Sequence, residues 1–158
     1  MELYFLRHGI AAQRSNWDGD DSDRPLTEQG RQETARVAGF IAKLGPALDA
    51  IVTSPYTRAR QTAEIVAQHL NMQNGIVIEP RLAPGFDGED LVKVLKAFPD
   101  ARALMFVGHE PDFTETVYGL VGGRIVLKKG GMAYVQLADA SLKKATLVWL
   151  VQPALLGL

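Results

Sequence analysis

Short apolar runs alternate with amphipathic stretches along nearly the whole chain. Leu3 to Leu6 is an apolar run closed by Arg7-His8-Gly9, the pattern of a buried strand. A polar stretch from about Gln13 to Pro25 follows. Thr27 then caps a predicted helix in which Val37, Phe40, Ile41 and Leu44 fall at i, i+3, i+4 and i+7, and Gly45-Pro46 stops it. Ile51-Val52-Thr53 reads as a second strand. A helix follows Pro55, with Ala63, Val66, Ala67 and Leu70 on one face. Asn74-Gly75 turns the chain into a third strand, Ile76-Val77-Ile78. Leu91, Val94, Leu95 and Phe98 mark a further amphipathic helix that Pro99 ends. Leu104 to Val107 is a fourth apolar strand, closed by Gly108-His109, and a helix after Pro111 carries Phe113, Val117, Leu120 and Val121.

The end of the chain changes character. Met132 to Leu137 and Thr146 to Val151 are both strand-like, and the polar link from Asp139 to Lys144 is short enough to predict an antiparallel pair. The pattern predicts a single α/β domain over residues 1–158, with a mostly parallel central sheet flanked by helices and a C-terminal antiparallel hairpin. No internal repeat, linker or low-complexity tract interrupts it.

Composition narrows the function classes. At 158 residues, with 47% hydrophobic and 22% charged residues, the chain suits one globular domain with a real core. Seventeen Lys+Arg against 18 Asp+Glu give a net charge of -1, which argues against general nucleic-acid binding. Without Cys there is no disulfide framework, thiolate metal site or Cys nucleophile. No apolar run approaches the roughly 20 residues of a membrane helix, and no export signal is visible at the N-terminus. The expectation is a cytoplasmic protein with neither membrane nor nucleic-acid partners.

In open α/β sheets, ligands bind beyond the carboxyl ends of the strands. Arg7, His8 and Gly9 follow the first strand. Thr53 and Ser54 follow the second, with Arg58 one turn into the next helix. Gly108, His109 and Glu110 follow the fourth. Two of the three histidines thus fall at strand ends, while His69 lies mid-helix and reads as a surface residue. Any one of these residues alone would read as a strand cap or a carboxylate partner. Two imidazoles and two guanidiniums on one sheet edge point to an anion site, because burying several cations without an anion is costly and the Arg fork matches phosphate oxygens.

Four segments carry a family resemblance. They are the strand-RHG opening, Pro25-Leu26-Thr27-Glu28-Gln29-Gly30, the run from Ser54-Pro55-Tyr56-Thr57-Arg58 to Ala63, and Val107-Gly108-His109-Glu110-Pro111. In this order and spacing the chain resembles the histidine phosphatase superfamily, also called phosphoglycerate mutase-like. Its short length and compact middle resemble the SixA branch, the phosphohistidine phosphatases. The resemblance implies a phosphate pocket of Arg7, His8, Arg58 and His109, and a covalent phosphohistidine intermediate on His8. No cofactor and no metal are expected, since the pocket already offers two permanent cations and has no clear carboxylate ligands. Its partners would be a phosphohistidine-bearing protein or a small phosphate ester, with inorganic phosphate as product.

The residue chemistry agrees. Neutral imidazole is a competent nucleophile toward phosphorus, and its charge is tunable near neutral pH. Charge spreads over the equatorial oxygens of a transferring phosphoryl group, so fixed cations and donors aimed there lower the barrier. Arg7 and Arg58 supply forks, and a protonated His109 is expected to add a donor. Gly9 is expected to leave room for backbone approach to the phosphate, and the helix after Pro55 to add its positive end.

Two departures stand out. Mutases and many esterases of this family carry a Glu acid after the third strand, and here that segment reads Arg81-Leu82-Ala83-Pro84-Gly85, with Ala83 in its place. Asp87, Glu89 and Glu110 are the candidate proton donors. Ile10 follows RHG directly, where an acidic residue is frequent in relatives.

Other signals are weaker. Asp18, Asp20, Asp21 and Asp23 fail the EF-hand pattern, since Asp23 stands where Gly is wanted and Gln29 where Glu is wanted. They read as a solvated loop, or less readily as a lid. His8 and His109 with Glu110 could ligate a metal, but two adjacent Arg would repel it. Gly122-Gly123 and Gly130-Gly131 read as turns, and Lys128-Lys129 and Lys143-Lys144 as solvated turns. Trp149 is expected in the core and Trp17 at the pocket mouth. The leading expectation is a metal-independent phosphohistidine phosphatase. The alternatives are a small-molecule phosphomonoesterase on the same pocket and a phospho-ligand binding module without turnover.

Overall fold

Leu3, Phe5 and Leu6 are wholly buried, Tyr4 nearly so, and they form the heart of β1 (Glu2–Arg7). The computed structural model describes residues 1–138, 142 and 144–157. After β1 the chain runs through α1 (Glu28–Leu44), β2 (Ala50–Thr53), α2 (Thr57–Leu70), β3 (Ile76–Ile78), α3 (Gly88–Lys96), β4 (Ala103–Gly108), α4 (Asp112–Val121), β5 (Met132–Leu137) and β6 (Ala145–Val151). The strand order is β3-β2-β4-β1-β5-β6. β1, β2, β3 and β4 are mutually parallel, whereas β5 runs antiparallel to β1 and β6 antiparallel to β5. The predicted α/β class, parallel centre and terminal hairpin are all present. Residues 139–141 and 143 of the predicted polar link, Lys143 among them, lie outside the described residues.

Strand alternation builds a core on each face of the sheet. Leu3 and Phe5 pack with Leu91 and Val94 of α3 and Phe113 and Val117 of α4. Tyr4 and Leu6 pack with Val37, Ala38 and Ile41 of α1 and Ala59, Ala63, Val66 and Ala67 of α2. Because both faces are covered, the central strands are continuously apolar rather than alternating.

The helix ends follow local chemistry. Thr27 accepts the Gly30 N–H at 2.9 Å, and Gly45 closes α1 at φ 62°, a left-handed conformation that Gly adopts at little cost. Three expectations shift. Leu44, the last residue of α1, is 47% exposed instead of facing the core. Phe98 lies beyond α3, because the Ala97 and Phe98 N–H groups reach back three residues, to Val94 and Leu95, and tighten the last turn. Trp149 is only partly buried, packed against Tyr134 and Tyr4. Among the described residues, no helix is long and apolar enough to cross a membrane.

Candidate active site

Sheet register brings the three chemically loaded strand ends level. Arg7 pairs with Gly108 between β1 and β4, and Thr53 with Val107 between β2 and β4. The ladders run one residue further, with His8 N–H donating to the Gly108 carbonyl and Ser54 N–H to the Val107 carbonyl, both at 3.0 Å. His8, His109 and Ser54 therefore stand side by side at the carboxyl edge. The His8 and His109 rings are 5.3 Å apart, and both residues are buried. Arg58, from the first turn of α2, reaches back so that its Nε donates to His8 Nε2 at 3.3 Å. Arg7 is held from behind, its Nη1 donating to the Leu127 carbonyl at 2.9 Å, while its buried Nε has no protein partner.

His8 is oriented by its neighbour. Its Nδ1 lies 2.8 Å from the Gly9 carbonyl, which can only accept, so Nδ1 carries the proton and Nε2 keeps its lone pair. Burial, the main cause, pushes the His8 pKa down to about 3; the Gly9 bond opposes this, and His109, Arg58 and Arg7 reinforce it. Burial does the same to His109, down to about 3, with Arg58 the next contributor. Burial and the Arg58 guanidinium thus favour a neutral His109 ring over the protonated one expected, and an anion held by Arg7 and Arg58 would pull in the opposite direction. Tyr56 stands edge-on to the His109 ring with centroids 5.2 Å apart, and the Arg58 guanidinium lies over the Tyr56 ring at 5.0 Å.

Gly9 has a different reason from the expected one. A Cβ there would come within 2.4 Å of Thr34 Oγ1 on α1, and the Gly9 N–H donates to Thr62 Oγ1 at 3.1 Å. Glycine there lets α1 approach closely, and its N–H is already engaged. α2 does begin at the site, and without a side-chain cap.

Sequence reasoning misses Asp21. The acidic loop is not simply solvated: Asp21 Oδ2 accepts from Arg58 Nη2 at 3.0 Å and its carbonyl from Nη1 at 2.7 Å, while Oδ1 accepts from Arg24 Nε at 2.9 Å. Partial burial alone would raise this carboxyl, but Arg24 and Arg58 outweigh it and hold it below the usual carboxylate range. Trp17 turns into its own loop, donating to the Asp20 carbonyl at 2.8 Å. No sequence signal separates Asp21 from the neighbouring aspartates.

The candidate proton donors are dispersed. Asp87 caps α3, accepting from the Glu89 and Asp90 N–H groups, and Glu89 is exposed. Glu110 sits at the right strand end, but both of its carboxyl oxygens accept from Thr114. Its half-buried setting raises its pKa against the pull of Thr114 and Arg7. Ile10, Lys128 and Lys129 join Arg7 in lining an open cleft of about 350 Å³, and both lysines are exposed, as expected of a solvated turn. His69 is exposed, as expected. Among the described residues, no group of three or more His, Cys, Asp or Glu is placed to hold a metal.

Comparison with known proteins gives the same frame. Residues 3–103 match the model of the histidine phosphatase superfamily (branch 1). The chain is 40% identical over 152 residues to an uncharacterised protein of Picosynechococcus sp., covering 92% of this chain and 91% of that one. It is 29% identical over 113 residues to the phosphohistidine phosphatase SixA of Escherichia coli K12, covering 70% and 68%. A solved structure of the protein histidine phosphatase SixA complexed with tungstate superposes with a TM-score of 0.88 at 28% identity, covering 99% of both chains.

Proposed function

Because the chain belongs to the histidine phosphatase superfamily and is an enzyme of its phosphatase type, we propose that it hydrolyses phosphohistidine in proteins through a covalent intermediate on His8. The observation that carries this reading is the state of His8. Its Nδ1 is tied to the Gly9 carbonyl, burial keeps it neutral, and Nε2 stands beside the Arg58 guanidinium. In the first step Arg58 Nε gives up its hydrogen bond to Nε2 in favour of a phosphoryl oxygen, and the freed Nε2 lone pair forms a bond to phosphorus. The P–N bond of the substrate, whose other ring nitrogen is already protonated, breaks, and its electron pair goes to the imidazole, which departs neutral. Water then attacks phospho-His8, releasing inorganic phosphate and restoring the neutral ring. Arg7 and Arg58 balance the charge on the equatorial oxygens. Two permanent cations there make a metal unnecessary, and activity is expected to persist after exhaustive chelation.

The substrate preference follows from the proton donors. An alkyl phosphate ester leaves as an alkoxide unless an acid protonates it, a contribution worth about 10²–10⁴-fold. Ala83 replaces the family's acid, Asp87 is a helix cap, and Thr114 holds Glu110. A departing imidazole protonated on its other nitrogen needs little such help. The SixA relatives support the same substrate class.

A second reading, a small-molecule phosphomonoesterase, is favoured by one observation: Glu110 is the one carboxyl among the three candidates that follows the His109 strand end, half-buried there, and burial raises its pKa. Comparing kcat/KM for a phosphohistidine peptide and a phosphoserine peptide decides between the two. The first reading predicts a large preference for phosphohistidine. Equal rates, with ester hydrolysis selectively lost in Glu110→Gln, would establish the second.

A further inference from the structure

Ser54 is wholly buried and meets His109 directly. Its Oγ lies 2.8 Å from His109 Nε2, and the same Oγ accepts the Tyr56 N–H at 3.2 Å. With the Tyr56 N–H occupying one side of the oxygen, the hydroxyl proton is free to point at His109. Nε2 then accepts, and Nδ1 carries the ring proton. The other ring nitrogen fits this arrangement: Nδ1 is buried and has no protein partner. Nδ1 and Nε2 open on opposite edges of the ring. With Ser54 on the Nε2 edge, Nδ1 is the nitrogen left to meet a phosphoryl oxygen.

We propose that Ser54 is a positioning residue that sets the tautomer of His109, so that Nδ1–H and not a bare lone pair faces the phosphoryl group. The consequence is electrostatic. A lone pair aimed at a phosphoryl oxygen repels it, whereas an N–H stabilises the charge that develops there. A hydroxyl suits this task because it works in both directions. It donates to Nε2 while the ring is neutral, and it accepts from Nε2–H if His109 takes up a proton beside the bound dianion, so Nδ1–H faces the phosphate in both states. Tyr56 serves the same end by a different route, its backbone N–H orienting the Ser54 oxygen and its ring packing edge-on to His109. A strand-end serine followed by proline thus acquires a role in the chemistry without touching the substrate.

The inference depends on the phosphatase reading only for its effect on turnover, since the tautomer is a property of the protein itself. The experiment is a two-bond nitrogen–proton correlation spectrum of the ¹⁵N-histidine-labelled wild-type protein, with His109 assigned by the signals missing in His109→Gln. The expected spectrum has Nδ1 protonated and Nε2 as a hydrogen-bonded acceptor. Ser54→Ala should move His109 toward the other tautomer and lower kcat about 10- to 100-fold, the scale on which residues supporting a site ligand act, with KM little changed. Ser54→Thr, which keeps the hydroxyl, should restore both. A wild-type spectrum with Nε2 protonated would overturn the proposal even if no variant folded. So would a Ser54→Ala protein whose tautomer and kcat match the wild type. Failure of the phosphatase reading would register separately, as absence of phosphate release from any phosphorylated substrate by the wild-type enzyme.

Discussion

Asp21 Oδ2 lies 3.0 Å from Arg58 Nη2, so a loop carboxylate occupies the guanidinium fork that the proposed chemistry needs for a phosphoryl group. A carboxylate and a phosphate present similar oxygens to an Arg fork, and the two compete for it. Removing Asp21 should therefore have opposite effects on binding and on stability. Net charge-assisted hydrogen bonds are worth about 1.5–3 kcal/mol, so inorganic phosphate should bind Asp21→Ala roughly tenfold or more tightly than wild type. The same variant leaves Arg58 without its carboxylate partner, only the backbone carbonyl of residue 21 remaining, and should unfold at lower urea, a deficit that saturating phosphate recovers. Titration calorimetry and urea melts with and without phosphate check both. Weaker phosphate binding in Asp21→Ala would mean that the carboxylate orients Arg58 instead of competing for it.

Arg58 and His109 should act mainly on the transition state. Removing one donor from a site of this kind costs about 10²–10³ in kcat, or about 2.7–4 kcal/mol. Arg58→Ala and His109→Ala should each lose activity on that scale while keeping a cooperative thermal melt. A folded variant of either with near-normal turnover would place that residue outside the site.

The buried histidines make stability depend on pH. His8 and His109 have pKa values lowered from 6.5 to about 3 by burial. Between those values the unfolded chain binds more protons than the folded one. Their contribution is therefore fully present above about pH 6.5 and is lost as the pH falls toward 3. The urea midpoint should drop between pH 7 and 5, above most carboxylate titrations. His109→Gln, lacking one such group, should drop less over the same interval. Parallel curves for the two proteins would contradict the assignment of His109 as a buried neutral ring.

Much of this arrangement is legible in the amino-acid sequence. An apolar run followed by Arg-His-Gly, and another followed by Gly-His, place both imidazoles at strand ends, and parallel pairing levels them. What the sequence hides is which partner each group chooses. Asp21 is one of four aspartates in a polar loop, and only tertiary contact selects it for Arg58. The need for Gly at position 9 comes from Thr34, 25 positions further on and invisible to local pattern. The charge of His109 escapes a sequence reading because desolvation depends on packing from α2, β2 and β4 together. Ser54 reads as an ordinary strand-end residue until its hydroxyl is seen against Nε2.

The central claim is that His8 forms a covalent bond to phosphorus. Rapid quench of the wild-type enzyme with ³²P-labelled phosphohistidine peptide tests it most directly. The predicted result is a labelled protein whose phosphate is lost in acid and stable in base, as a P–N bond requires, with the label mapped to His8 and absent in His8→Ala. A label that survives acid and sits on Ser or Thr, or turnover by His8→Ala at the wild-type rate, would contradict it.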